Sequence, residues 1–153
     1  MASIIGGLPM SIASILSRKG RHVISVAPEE TVAAIAQVLA ENRIGAVLVQ
    51  NGRGQVLGIV SERDIVRVVA STGAEALDGT AESLMTRELA TVVQNTTAVE
   101  ALSLMTDRRI RHLPVMEEDR LLGMVSIGDL VKFRIGEIES EAEALKTYVH
   151  SGT

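Results

Sequence analysis

Seven residues constrain this chain more than any other feature. Gly58-Ile59-Val60-Ser61-Glu62-Arg63-Asp64 recurs as Gly123-Met124-Val125-Ser126-Ile127-Gly128-Asp129, at an offset of 65 (123 less 58). Upstream the match continues at an offset of 66, with Arg43-Ile44 on Arg109-Ile110 and Thr31 on Thr97. A one-residue length change confined to the turn before the glycine is what two copies of one fold show, since turns tolerate insertions that strands and helices do not.

Each copy reads as a short β segment (Val23 to Val26; Leu89 to Val93), a helix, a two-stranded unit and a second helix. The first helix runs from about Thr31 to Asn42 with Val32, Ile35, Ala36 and Leu39 on one face. Its counterpart carries Ala98, Ala101, Leu102 and Met105, and starts at a Thr97/Glu100 capping box. Strands Ala46 to Val49 and Val56 to Val60 meet at an Asn51-Gly52 turn. Leu113 to Met116 and Leu121 to Val125 meet through Glu117-Glu118-Asp119. Pro114 donates no hydrogen bond, so its strand must lie at an edge or leave a position unpaired there. The expected divisions are an N-terminal segment and helix (1–20), repeat one (21–70), an Ala/Gly/Ser/Thr-rich linker (71–83), repeat two (84–132) and a C-terminal amphipathic helix (133–153). At roughly 60 residues neither copy has much core of its own, so the two should pack as a pair related by a pseudo-twofold. The fold class is α/β.

Composition narrows the function. With 15 Lys plus Arg against 19 Asp plus Glu, the net charge of -4 repels a nucleic-acid backbone, and one Tyr, one Phe and no Trp leave no platform for stacking bases. Absence of Cys excludes disulfides, thiolate metal sites and cysteine catalysis, and suits a reducing cytoplasm. Met1 to Pro9 is mildly apolar without a preceding basic residue, and no apolar run approaches the roughly 20 residues that span a bilayer. The expectation is an unexported cytoplasmic protein. His22, His112 and His150 lack metal-ligand spacing, and no Ser has a His partner suited to nucleophilic attack. Gly52-Arg53-Gly54-Gln55-Val56-Leu57-Gly58 imitates a dinucleotide fingerprint, but a strand follows it where a helix is needed, so it reads as a hairpin turn.

What remains is the repeated Ser-x-x-Asp. Ser61 with Asp64, and Ser126 with Asp129, are either helix caps or part of a ligand site. Free N–H groups at a strand-to-helix junction hold phosphates, and a carboxylate there accepts hydrogen bonds from adjacent ribose hydroxyls. Arg108, Arg109, Arg111 and His112 crowd copy two, whereas copy one has Asn42, Arg43, Gly45 and Ala46. Since Arg111 and His112 enter a strand, their side chains point to opposite faces and at most one projects straight into a cleft. Copy one has Arg63 where copy two has Gly128, so two ligand sites would differ.

The paired Gly-apolar-apolar-Ser-x-x-Asp segments, with Ile110-Arg111-His112-Leu113-Pro114-Val115 ahead of the second, resemble the tandem cystathionine β-synthase (CBS) domain pair, or Bateman module, over about Ile15 to Lys132. The resemblance implies β-α-β-β-α repeats and two clefts for adenosine-type ligands such as AMP, ATP or NAD(H). It implies that Asp64 and Asp129 hold ribose hydroxyls, with Ser61 and Ser126 near ribose and phosphate. Ser25 and Thr91 would line the clefts, Arg111 and His112 would contact phosphate, Arg63 would reach a second phosphate, and adenine would sit near Ala46.

The favoured reading is a non-enzymatic sensor, AMP being the leading ligand, that works as a homodimer read by a regulated partner protein. The alternative is a scaffold whose clefts are vestigial. The stripes Ile12, Ile15, Leu16 and Ile135, Ile138, Ala142, Leu145, Val149 flank the repeats; packing on the same chain would cover them equally well, but the expectation is that these outer helices help close the homodimer interface.

Overall fold

In the computed structural model, residues 4–5, 8–9 and 11–151 are described. Most of the Met1 to Pro9 segment therefore lies outside the described residues or is described by backbone alone, as an antiparallel pairing of β1 (Ile4–Ile5) with β2 (Leu8–Pro9). The remainder forms two units. Residues 22–90 with 119–121 build one, and the described residues of 1–21, 91–118 and 122–153 the other.

The first unit is copy one. Thr31 caps α2 (Val32–Asn42) by accepting a hydrogen bond from Ala34 N–H at 3.1 Å, and Arg43 ends it in the left-handed region at φ 54°. A three-stranded sheet follows, in the order β3 (Ser25–Val26), β4 (Ala46–Gln50), β5 (Val56–Ser61), with β3 parallel and β5 antiparallel to β4. Val26 pairs with Val49 and Val47 with Val60, so one face of the sheet presents these valines to Ile35 and Leu39 of α2. Ala46 to Val49 are all buried, which makes β4 a strand covered on both faces. At the β4–β5 turn, Asn51 Oδ1 accepts from Arg53 N–H and Gln55 N–H while Gly54 takes φ 78°. The dinucleotide-like stretch is thus a hairpin turn.

After α3 (Glu62–Thr72), residues 71–83 are not irregular: a 3-10 helix (Ala74–Asp78) and α4 (Ala81–Leu84) occupy much of them. Thr86 then exchanges two backbone bonds with Ile59 on β5, of 3.0 and 2.9 Å. This approach requires Gly58: a Cβ there would lie 2.7 Å from Thr86 O and 2.8 Å from the Met85 side chain.

The second unit is copy two preceded by α1 (Ile12–Lys19), whose Ile12, Ile15 and Leu16 are all buried within the single chain, so this stripe is not left to close a homodimer interface as expected. Thr97 and Glu100 form the expected capping box at the head of α5 (Ala98–Arg108), and Arg109 closes that helix at φ 54°, as Arg43 does in copy one. Strands β6 (His112–Glu117) and β7 (Arg120–Ser126) pair next. Leu16 plays toward Gly123 the part Met85 plays toward Gly58, with Cδ2 2.8 Å from where a Cβ would stand.

The expected β segment from Leu89 to Val93 shrinks to one bridge, Val92 with Val115. Pro114 is the reason. In copy one, Leu48 N–H donates to Ile24 O at 3.4 Å; Pro114 occupies the position of Leu48 and has no N–H to give. Only the Val92–Pro114 and Met116–Val92 bonds survive. The tail is continuous with the repeat, since a single helix, α6 (Ile127–Ser151), takes in both.

Candidate functional site

Alternation along the strands assembles the predicted residues of copy one. Ser25 pairs with Leu48 and Ala46 with Ser61, so Ser25, Ala46, Leu48 and Ser61 share the sheet face opposite the Val47/Val49 core face. At the end of β5 the chain turns into α3 through a reciprocal cap. Ser61 N–H donates to Asp64 Oδ2 at 2.8 Å, Ser61 Oγ–H to the same oxygen at 3.0 Å, and Asp64 N–H to Ser61 Oγ at 3.3 Å. Glu62 N–H is taken by Gly45 O at 2.9 Å. Of the first amides of α3, that of Arg63 has no partner among the described residues, as is usual at a helix N-terminus. The Arg63 side chain is exposed beside it.

Copy two repeats the junction. Ser126 N–H donates to Asp129 Oδ2 at 2.8 Å, Asp129 N–H to Ser126 Oγ at 3.1 Å, and Ile127 N–H to Arg111 O at 2.8 Å. The last bond ties the Arg111 peptide to the head of α6, beside Gly128, whose amide has no partner among the described residues. Arg111 itself is exposed, whereas His112, the first residue of β6, is half-buried. Alternation puts His112 on the face that Thr91 shares, in the position Ala46 holds in copy one. An imidazole thus stands where the first copy has a methyl group.

Sequence reasoning missed Lys19. Its Nζ donates to Asp129 Oδ2 at 2.5 Å and to Met124 O at 2.8 Å, so an N-terminal residue caps the second carboxylate. Burial alone would raise the Asp129 carboxyl, but the hydrogen bonds from Lys19 and Ser126 and the lysine charge outweigh it and hold the group below the ordinary carboxylate range. Asp64 has no such lysine among the described residues. No local pattern marks the pair, since the partners lie 110 residues apart and Lys19 reads from sequence as a basic helix end.

A concavity of about 450 Å³ lies elsewhere, along α1 and α6, lined by Arg18, Phe133, Glu137 and Glu143 among others. None of the predicted ligand residues lines it. Among the described residues no cluster of His, Asp and Glu could hold a metal ion, and no helix is long and apolar enough to cross a membrane.

Two α-β-β-α copies, α2-β4-β5-α3 and α5-β6-β7-α6, each ending its second strand in a Ser-Asp capped helix, define a class of tandem α/β repeats. The family model for the CBS domain matches residues 12–71 and again 81–136, and the chain belongs to the CBS domain family. It is 33% identical over 150 residues to the mitochondrial CBS domain-containing protein CBSX3 of Arabidopsis thaliana, covering 93% of this chain and 73% of that one. The solved CBS-domain containing protein ATU1752 of Agrobacterium tumefaciens superposes with a TM-score of 0.82 at 40% identity, over 86% of this chain and 98% of that one. The CBS domain pair of protein MJ0100, solved with 5'-methylthioadenosine and S-adenosyl-L-methionine, shares the fold at a TM-score of 0.74 and 21% identity, over 84% of this chain and 98% of that one.

Proposed function

We propose that this chain is a non-enzymatic adenine-nucleotide sensor of the cytoplasm, with AMP the leading ligand and ATP or NAD(H) the alternatives, that signals to a regulated protein as a homodimer. One observation carries the reading: the same strand-to-helix junction, with a carboxylate and an open amide side by side, is built twice from residues far apart in sequence. Asp64 would accept the ribose hydroxyls, the Arg63 amide and side chain would meet phosphate, and the small Ala46 leaves room for adenine. In copy two, Asp129, the Gly128 amide, Arg111 and His112 would do the corresponding work, with Ser25 and Thr91 at the edge of their respective clefts. The adenosine-containing ligands of MJ0100 support the ligand class.

A second reading, a scaffold with vestigial clefts, is favoured at copy two by the Lys19 contact, which occupies the Asp129 oxygen that already serves the cap. Melting the protein with AMP, ADP, ATP, NAD, NADH and S-adenosylmethionine separates the two readings. A ligand that binds only the folded state raises Tm, and at a hundredfold excess over Kd the gain is about 2.7 kcal/mol. If none of the six shifts Tm, the sensor reading falls and the scaffold is the one left.

A further inference from the structure

The helix α6 presents two different apolar faces. Leu130 and Phe133, with the ion-paired Glu137, are buried at 0, 7 and 5% exposure and fix the first half of the helix to its own unit. Val131, Ile135, Ile138, Leu145 and Val149 form a separate stripe that is 43 to 63% exposed, and Ala142 within it is exposed too. Packing back on the same chain therefore leaves this stripe uncovered. From Ile138 to His150 every residue is exposed, and a helix so placed in water is marginal without a partner.

The stripe is spaced four, three, four, three, four. That is the 3.5-residue repeat of a coiled-coil seam, with Ile135, Ala142 and Val149 at a and Val131, Ile138 and Leu145 at d. The flanking charges then choose an occupant. In a parallel, in-register pair, Arg134 at g faces the partner's Glu139 at e, and Glu141 at g faces the partner's Lys146 at e. Both contacts are attractive. An antiparallel pair overlapping the same stripe sets Glu139 against the partner's Glu139, Glu141 against the partner's Glu141 and Lys132 against the partner's Lys146. All three repel. Within one chain Arg134 is already 3.5 Å from Glu137 and 4.0 Å from Glu141, while Glu139 and Lys146 have no ionic partner among the described residues.

We infer that residues 131–149 of α6 form a parallel, in-register two-stranded coiled coil with a second copy of this chain. This rests on the homodimer of the preceding section and gives it a specific contact and direction. With fewer than three heptads, the coil forms as one part of the dimer contact and not as an autonomous zipper.

The absence of native cysteine makes the test direct. Ala142→Cys and Ile138→Cys, each alone in the full chain, should oxidise to covalent dimers, whereas Ser140→Cys, on the outer side of the coil, should not. Crosslinking only when the Ala142→Cys and Ile138→Cys proteins are mixed means antiparallel helices and overturns the proposal. Glu141→Lys should weaken the dimer about tenfold in light scattering, and adding Lys146→Glu should restore it. A dimer that neither crosslinks nor responds to charge reversal overturns the coil and leaves the sensor standing. A chain that stays monomeric overturns both coil and dimer, and AMP-dependent melting of the reduced Ala142→Cys protein reads the nucleotide site separately.

Discussion

Lys19 and Asp129 form an ion pair of 2.5 Å that joins the end of α1 to the head of α6. Asp64, the equivalent carboxylate of copy one, is hydrogen-bonded by Ser61 and by no cation among the described residues. The two junctions share a backbone and differ in electrostatics, and that difference is measurable.

The pH dependence follows from the sign of the Asp129 shift. A carboxyl whose folded value lies below its unfolded one, about 3.9, adds stability that is complete above the unfolded value and disappears as pH falls through the folded one. Lys19→Met should lower Tm at pH 7, by up to about 1 kcal/mol or roughly 2 to 4 °C for a partly exposed pair. The gap from the native protein should close below about pH 4. A gap that persists unchanged at pH 2.5 would mean that Lys19 acts through its bond to Met124 O and its packing, and not through the charge of Asp129.

Asp64→Asn separates capping from ligand binding. The amide oxygen still accepts from Ser61 N–H, so Tm should move little, while the loss of a charged acceptor for ribose should weaken AMP by about 1.5 to 3 kcal/mol, or ten- to a hundredfold. Asp64→Ala should lose the cap as well, about 1 kcal/mol of stability. Calorimetry with equal AMP affinities for Asp64→Asn and the native protein would reduce Asp64 to a cap.

Arg111→Ala should weaken AMP much more than adenosine, and added salt should shrink that difference, because only the nucleotide carries the phosphate that a guanidinium holds. Equal losses for the two ligands would show that Arg111 supports the β6–α6 junction alone.

Gly58→Ala and Gly123→Ala look equivalent in sequence and should not behave alike. At Gly58 the new methyl meets a backbone carbonyl that is itself bonded into β5, whereas at Gly123 it meets the tip of Leu16. Chemical denaturation should place Gly58→Ala near the upper end of the 1 to 3 kcal/mol range for overpacking and Gly123→Ala near the lower. Leu16→Val should partly rescue the second substitution only.

Much of this was legible because it is local. The Thr97/Glu100 box, the Asn51 turn and the stripes on α2 and α5 depend on residues three or four apart, and Pro114 announced an unpaired position through its missing N–H. Ser25 and Ala46 were named through the family resemblance, and the register of β3 to β5 is what places them with Ser61 on one face. What sequence could not supply were contacts closed by tertiary folding. Lys19 reaches Asp129 across 110 residues, and the glycines of the motif serve the approach of Met85-Thr86 and of Leu16, neither of which shares a pattern with them.

The helix before each repeat lies with the other repeat's strands. The segment α1 precedes copy one but belongs to the unit of copy two, and α4, at the start of the second family match, belongs to the unit of copy one. No cut between the repeats can therefore release the unit of copy two whole. A break near residue 80 leaves one fragment without the Ala81 and Met85 that complete its core, and the other without Ile12, Ile15 and Leu16. A duplicated chain threaded in this way has given up the independence of its second copy, which should not complete its core without α1.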